Sequence, residues 1–524
     1  MSLTKVTYSM IEGSPVNVVD FGAIGDGVAN DTLAIQNAMD SGASSIYFPN
    51  GTYLSDEVTV PSTVHYIYGS GTFKQRATDT KLMTFNSITN ITVDGMTFQG
   101  NYTYPQATQS SDNTGVTFLS CNNVKVVNCS FSFIQFIGLR FINCRYVVCS
   151  NNRMNYVGNG IYLQGTRYVT ITGNILTNTI AADSLFVIAI SCESTDGHAY
   201  GICTNIVIDS NVIDGYRNAQ GIMAHSLTRG TISNNVVNDP ILPISLIPFN
   251  ATDDITEVTI VGNTVRSIDS VTFTPSGNSG IIVQAGGSAA DINYVTIANN
   301  IIIDANRAAQ ANNQGGIQIG YTKNVSVTGN VIHNAFCNGI VLTEDEDGIA
   351  ITGNVIKDIN EIPDGTLNGI IALGAPKGNI TANTFQNINS AVGIGYGVRF
   401  NAANGMYVGD NYYFNVEALG TGLQNTINNG RTLVLSGTET SINLNNVDVV
   451  VFQQSAPSTI SAFTGVVEYK KYTFYFVNGN TTIDRNNAFL NGGVNITGTQ
   501  YDVVEMLGIS ATKLAQVAPI SVNS

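Results

Sequence analysis

VTITGNILTN (169–178), IVIDSNVIDG (206–215), VTIVGNTVRS (258–267), VTIANNIIID (295–304), VSVTGNVIHN (325–334) and IAITGNVIKD (349–358) are variants of one phrase. Each is a short run of alternating apolar and polar residues, an Asn, and a second short run. A period of two marks a strand with one face buried. The Asn recurs at Asn152, Asn174, Asn211, Asn235, Asn263, Asn300, Asn330, Asn354, Asn383 and Asn411, and Cys129 and Met96 continue the column upstream. Successive intervals are 22, 37, 24, 28, 37, 30, 24, 29 and 28 residues. A floor near 22 with variable excess describes a coil of fixed core that carries loops of different length.

Another strand recurs between these phrases: TGVTFL (114–119), IGLRFI (137–142), NGIYLQ (159–164), QGIMAH (220–225), SGIIVQ (279–284), GGIQIG (315–320), NGIVLT (338–343), NGIIAL (368–373) and YGVRFN (396–401). Three short strands and no helix per repeat make an all-β chain, a parallel β-helix of about twelve coils. The preference of parallel crossovers makes it right-handed. Leucine-rich repeats would need an LxxLxL spacing that is missing here. The Asn column is expected to supply a bend with left-handed backbone. Coils about 4.8 Å apart would let its amides bond into a ladder.

The ends of such a stack expose strand edges and need covers. NDTLAIQNAMDSG (30–42) reads as a capping helix, with Asn30 or Asp31 as N-cap and Gly42 as stop. Leu33, Ile35, Ala38 and Met39 form its expected apolar face. From about Arg431 the pattern changes to longer strands, TLVLSG (432–437), VDVVVF (447–452), VEYKKYTFYFVNG (467–479), NGGVNITG (491–498) and YDVVEML (501–507). These predict a C-terminal antiparallel β-sandwich for trimerisation or capping, reached through ALGTGLQNTINNG (418–430). The expected division is 1–42, leading segment and helix; 43–430, β-helix; 431–524, C-terminal domain.

Composition narrows the function classes. Charged residues are 11% of the 524, against about 25% in ordinary globular chains. Asn, Thr, Ser and Gly must therefore provide the polar surface. With 22 basic and 37 acidic residues the net charge is −15, which argues against a nucleic-acid partner. No run approaches the ~20 apolar residues of a membrane span, and MSLTKVTYSMIEG (1–13) lacks an apolar signal core. Seven cysteines include no CxxC pair, and Cys121, Cys129, Cys144, Cys149 and Cys192 lie in apolar strand-like stretches, as reduced core thiols do.

Ahead of the repeats stands VNVVDFGAIGDGVANDTLAIQNAM (16–39), followed by SSIYFPNGTYL (44–54). This resembles the start of the pectate-lyase-superfamily β-helices, and of phage tailspikes in particular. The match is carried by Asp20, Phe21, Gly22, Ala23, Gly25, Asp26, Gly27, Asp31, Thr32, Ala34, Ile35 and Gln36. LTKVTYSMIEGSPVNV (3–18) resembles the stretch after a spike's virion-anchoring domain. STISAFTG (458–465) and YTFYFVNGNTTIDRNNAFLNGGVNITGT (472–499) resemble its terminal sandwich. The resemblance implies the receptor-degrading body of a tailspike, acting on capsule or O-antigen at the host surface. It further implies a parallel homotrimer carried by a phage tail or baseplate protein. Met1 lies so close to the motif that any particle-binding domain is expected to be removed or supplied by another protein. GAIGDG (22–27) is not a dinucleotide fingerprint, because its order is G-x-x-G-x-G and no βαβ unit surrounds it.

The chemistry has to be argued from the site, not the fold. Alternate residues of the Gly-containing strand point outward: Tyr162 and Gln164, Met223 and His225, Ile282 and Gln284, and Gln318. Extra residues follow that strand at 191–204, 249–257 and 285–294, and precede it at 267–279, 304–314 and 358–367. Long turns on both sides predict a walled groove, where functional residues gather on a rigid scaffold. Tyr162, Gln164, Asp196, Gln284 and Gln318 are its candidate sugar-binding residues.

Glycoside hydrolysis uses a protonated acid and a base or nucleophile. Glu193, Asp253 and Asp254 are the candidate carboxyls, read as loop residues two coils apart, with His225 on the coil between. Asp183 precedes a strand start, where similar enzymes place a catalytic Asp. A lyase would instead use His225, Tyr200 or a Lys as base, with Arg217, His225 or Arg266 as the stabilising cation. A binding-only fibre is the third class. Glu344-Asp345-Glu346-Asp347 is the rival acidic cluster, able to hold Ca²⁺ or a catalytic pair. Asp214, Arg266, His333 and Lys357 form another charged row, expected to be solvated or a subunit contact. The four His residues, at 65, 198, 225 and 333, are too scattered for a metal set, so no cofactor or metal is expected.

Overall fold

The computed structural model describes residues 15–516 apart from short stretches, of which 102–112, 178–186, 194–199, 267–278, 286–291, 306–313, 360–366, 389–394, 422–431 and 490–495 are the longest. The chain folds as two compact units, Met1–Val325 and Ser326–Ser524.

The first unit is a parallel β-helix built as the repeat dictates. Second strands of successive coils, Asn122–Val127, Arg145–Ser150, Arg167–Thr172, Cys203–Asp209, Leu227–Ser233, Ile255–Val261 and Ile292–Ala298, pair in parallel and in register. First strands stack likewise, from Thr114–Leu119 through Ser130–Ile142, Arg153–Gln164, Ile188–Glu193, Gln220–Ala224, Leu242–Leu246 and Ile281–Gln284 to Ile317–Gly320. In-register stacking puts like residues over like. Phe85, Phe118 and Phe141 form one buried pile with centroids 4.4 and 5.1 Å apart. Such offset stacks add about 0.5–1.5 kcal/mol each beyond area burial.

The Asn column forms the expected ladder, but not at the expected backbone. Asn152, Asn174, Asn211, Asn235, Asn263 and Asn300 are all 0% exposed. From Asn174 on, each amide oxygen accepts both the backbone and the side-chain N–H of the preceding Asn, as Asn211 does from Asn174 at 3.0 and 2.9 Å. Each side-chain N–H also donates to a carbonyl of the preceding coil, as Asn211 does to Ile171 at 3.0 Å. The left-handed residues are instead those just before: Asn151, Gly173, Ser210, Asn234, Gly262 and Asn299, with φ from 53° to 69°. Asn is kept in the column for its two-sided amide, and the bend falls one residue earlier.

Two further corners also use positive φ. At the start of the second strand the series is Asn90, Asn123, Tyr146, Tyr168, Asn205, Arg229, Glu257, Tyr294 and Asn324. After the third strand it includes Phe133, Tyr156, Gly215, Asp239 and Asp304. Asn, Asp and Gly tolerate this backbone, whereas a bulky residue there costs roughly 1–2 kcal/mol. Phe133 and Tyr156 therefore stand out in their series.

The leading motif is structural. Asp31, 1% exposed, accepts from the backbone N–H of Ile24 and Gly25 at 2.7 and 3.2 Å and so clamps the GAIGDG turn. A Cβ on Gly25 (φ 68°) would come 2.8 Å from the Tyr53 ring. The helix runs Thr32–Met39 with Asp31 as N-cap position, and it buries Ile35, Ala38 and Met39. Leu33 is 72% exposed and leaves the predicted apolar face, being two residues out of phase with Ile35.

The second unit has coils of its own, with strands such as Asn338–Leu342, Ile349–Thr352 and Val355–Lys357, and Asn330, Asn354, Asn383 and Asn411 form a ladder of the same pattern. The predicted antiparallel pattern after 431 needs correction. Thr432–Leu435, Val449–Phe452 and Lys471–Phe476 pair in parallel, as do Ser441–Asn443 with Ala462–Thr464 and Ser458–Ile460 with Thr481–Ile483. This is again coiled winding, around Phe452, Phe463, Phe474 and Phe476. Antiparallel pairing enters at Asp502–Ser510 on Lys471–Phe476 and Lys513–Gln516, and at Ile496–Thr497.

Cys121, Cys129, Cys144, Cys149, Cys192 and Cys203 are buried and free. Burial pushes the Cys129 thiol up to about 12 and raises Cys149 likewise. A thiol needs ionisation and access to react. No more than one of the seven cysteines should react with Ellman's reagent at pH 8 in the folded protein, and all seven after denaturation in SDS. Rapid reaction of three or more would contradict this packing.

Candidate functional site

The residues brought together lie on the outer face of the first strands. Register places Tyr162, Ser191, Met223, Ser245, Ile282 and Gln318 in one column, because each pairs with the next. Gln164 and Glu193 are paired in the adjacent column. His225 follows Ala224, the partner of Cys192, so it continues that column.

Glu193 was expected in a wall loop, but it is the last residue of the strand Ile188–Glu193. It is 5% exposed, and its Oε2 lies 2.6 Å from His225 Nδ1. The His225 backbone N–H donates to Cys192 O at 2.9 Å, which fixes the imidazole beside the carboxylate. Beneath them Cys192 and Cys203 are buried, and the Cys203 thiol donates to Glu193 O at 3.8 Å. Gln164 is 4% exposed next to Glu193. Gly165 (φ 57°) follows, and a Cβ there would come 2.2 Å from Tyr200 O. That close approach seats the turn carrying the 41%-exposed Tyr200 beside the pair. A buried carboxylate facing an imidazole can hold and pass one proton, the requirement of a general acid or base.

The other carboxyls fall differently. Asp253, read as a loop acid, is 0% exposed and accepts from Asn250 N at 2.7 Å, closing its own turn. Asp254 is exposed, and its carbonyl accepts from Leu227 N at 3.2 Å. Asp183 and Asp196 lie outside the described residues, as do Arg217 and much of the long turns expected to wall the face. Gln318 donates to Gln284 Oε1 at 2.5 Å and accepts from Ser279 at 2.9 Å. Sequence reasoning missed Ser191, Ser226 and Ser245, each 0% exposed with a hydroxyl oxygen lacking a hydrogen-bond partner among the described residues. Their signal was the outward phase of the strand, which marks Ser191 and Ser245 as well as Met223.

The rival acidic cluster holds one unusual member. Glu346 is 1% exposed, and its Oε1 accepts from Glu344 N at 2.8 Å. Burial pushes its carboxyl up to about 7, whereas an unburied Glu titrates near 4.5. The fold therefore binds an extra proton between these values, and stability falls as pH rises from about 4.5 to 7. Glu346→Gln should remove that slope and raise the melting temperature at pH 8 relative to pH 5. An unchanged slope would show that Glu346 does not titrate there. Among the described residues no group of three or more His, Cys, Asp or Glu is arranged to hold a metal ion. Arg266 pairs with Asp304 at 2.9 Å and His333 with Asp358 at 3.1 Å, so part of the charged third-strand row is internally paired.

Comparison with known proteins agrees with this architecture. Residues 15–78 match the family model "Rhamnogalacturonase A/epimerase, pectate lyase-like". Polygalacturonase-2 of Solanum lycopersicum is 27% identical over 191 residues, 31% of this chain and 42% of that protein. Mannuronan C5-epimerase AlgE2 of Azotobacter vinelandii is 46% identical over 67 residues, 10% of this chain and 7% of that protein. The chain thus spans less than half the length of these curated relatives. The tailspike protein of E. coli bacteriophage HK620, solved in complex with a pentasaccharide, superposes with a TM-score of 0.51 at 12% identity, over 81% of this chain and 84% of that one. At that identity the likeness is one of fold. The chain is a parallel β-helix protein whose leading segment, residues 15–78, matches a pectate-lyase-like family model.

Proposed function

We propose that this protein is a phage tailspike depolymerase that binds a bacterial surface polysaccharide, capsule or O-antigen, and hydrolyses its glycosidic bonds. The observation that carries this reading is the Glu193–His225 pair, buried at a strand end on the outer face of a rigid stack. Glu193 protonates the leaving oxygen, with His225 sharing that proton. Asp254 is the base for the attacking water and Asp253 holds its turn in place; Asp183 remains a candidate partner. Two coils of rise contribute about 9–10 Å to the separation of the carboxyls, and an inverting pair stands about 6.5–9.5 Å apart. Tyr162, Gln164, Asp196, Gln284 and Gln318 bind the glycan, and no cofactor is used. The leading segment 1–42 joins the body to a phage tail or baseplate protein, and 431–524 caps or trimerises it.

A second reading is favoured by the same 2.6 Å contact. Glu193 orients the His225 ring, and an oriented imidazole is a competent base for β-elimination. Incubation with purified host polysaccharide separates the readings. Hydrolysis gives new reducing ends without absorbance near 235 nm, elimination gives both, and a binding fibre gives neither. EDTA should leave cleavage unchanged.

The proposed assembly is a homotrimer. Light scattering is expected to give about three times 55.6 kDa. A clean monomer at micromolar concentration would refute it.

A further inference from the structure

Charge is unevenly spread along this acidic chain. Residues 113–182 contain no Asp or Glu, yet carry Lys125, Arg140, Arg145, Arg153 and Arg167. The chain as a whole has 37 acids in 524 residues, so about five would be expected in such a stretch. These cations lie on the coils that precede Glu193, and three of them flank the first-strand face. None of those three has an ion-pair partner among the described residues.

Arg140 pairs with Tyr162 in the outward column, and its guanidinium sits 5.5 Å from the centre of the Tyr162 ring. Its Nε is buried and has no hydrogen-bond partner among the described residues. Arg145 and Arg167 occupy paired positions at the start of the next strand, one rung apart. The Arg167 Nη2 reaches to 3.2 Å from where a Gly201 Cβ would stand, in the turn after the Glu193 strand. Two guanidinium groups one rung apart, with no ion-pair partner among the described residues, repel each other unless an anion lies between them.

Aromatic rings border the same coils. Tyr146 and Tyr168 stack 5.0 Å apart at 10° while 54% and 50% exposed. On the other flank Phe133 and Tyr156 stack 5.3 Å apart at 8°. All four hold left-handed backbone, a conformation that Asn, Asp or Gly fills on many other coils. Flat exposed rings suit the apolar face of a pyranose, and planar guanidinium forks suit a carboxylate or phosphate.

We infer that the polysaccharide bound at the Glu193 site is anionic, and that its acidic sugars lie on the coils of Arg140, Arg145 and Arg167 between the two aromatic stacks. This deepens the proposed function and rests on its placing the glycan along this face. The anionic group is a carboxylate or a phosphate substituent, which share the same fork geometry.

The test is retention of a panel of purified capsular and O-antigen polysaccharides by immobilised Glu193→Gln protein, which leaves the glycan intact. The expected result is that every retained polymer is anionic. Carbodiimide–borohydride reduction should abolish retention if carboxylates are read, and hydrofluoric acid dephosphorylation if phosphates are. Adding Arg145→Gln and Arg167→Gln should weaken retention at least tenfold, with an unchanged circular dichroism spectrum. Retention of a neutral polymer, retention that survives both treatments, normal binding by the double arginine variant, or retention of no polymer overturns the inference. An anionic polymer that is held but never cut by the unaltered protein overturns the cleavage reading alone. A neutral polymer that is cut overturns this inference alone.

Discussion

Glu193→Gln should lower turnover of the host polysaccharide by about 10²–10⁴-fold, the usual worth of one general acid or base. The replacement keeps the shape of the side chain and one acceptor oxygen, so the contact with His225 Nδ1 survives in altered form. Glycan retention and assembly should stay as they were. His225→Ala separates the two chemistries. If His225 only shares the proton of Glu193, its loss costs less than the loss of Glu193; if it is the base of an eliminase, activity vanishes. Asp253→Asn should act differently from Asp254→Asn. Asp253 is 0% exposed and ties Asn250, so its amide lowers stability, whereas Asp254 is exposed and its amide can change only turnover. Full activity in Glu193→Gln would move the catalytic centre away from this face, first to Glu344–Asp347.

Asn211→Ala, standing for any buried member of the ladder, should be strongly destabilising. It removes the acceptor of the Asn174 backbone N–H at 3.0 Å and the donor to Ile171 O at 3.0 Å, both deeply buried. Each orphaned group costs about 1–3 kcal/mol, so the loss is about 3–5 kcal/mol in total. A protein of this size is expected to unfold irreversibly, so the measurement is the unfolding rate in denaturant. That rate should rise by two orders of magnitude or more. Asn151→Gly is the control: it sits one residue before the ladder at φ 55°, exposed, and Gly accepts that backbone. Equal effects from the two substitutions would mean that the column is kept for its bend and not for its amide.

The fold was legible because its marker repeats. Ten Asn residues at a common floor spacing expose the coil even though each phrase alone is weak. The marker did not reveal its own mechanism, since the left-handed residue and the hydrogen-bonding residue are adjacent and both are often Asn. The region after 431 was harder for a physical reason. Its parallel pairs, such as Thr432 with Val449 and Ser441 with Ala462, carry no ladder Asn, and long β-branched runs read equally well in either direction.

The site was legible only in part. His225 follows from strand phase, because it continues QGIMAH outward. Glu193 was placed in a loop because extra residues appear from 191 on, and an excess of length does not say where a strand stops. Asp253 looked like a loop acid, yet Asn250 makes it a buried closure. Leu33 misled in the opposite way, as a large apolar residue that meets water.

The amide ladder has a consequence for how such a chain can change over evolutionary time. Each Asn bonds to the one before, to the one after and to a backbone carbonyl of the coil before, as in Asn174–Asn211–Asn235 with Ile171, and no member depends on which coil it occupies. The corner therefore behaves like a crystal that accepts an added or deleted plane without altering its unit cell. Duplication or loss of a whole repeat preserves every bond type, while a fraction of a repeat breaks two. The first-strand face lies on another side of the coil and shares none of these bonds. Its residues can be exchanged, and whole coils moved from one gene to another, without renegotiating the scaffold.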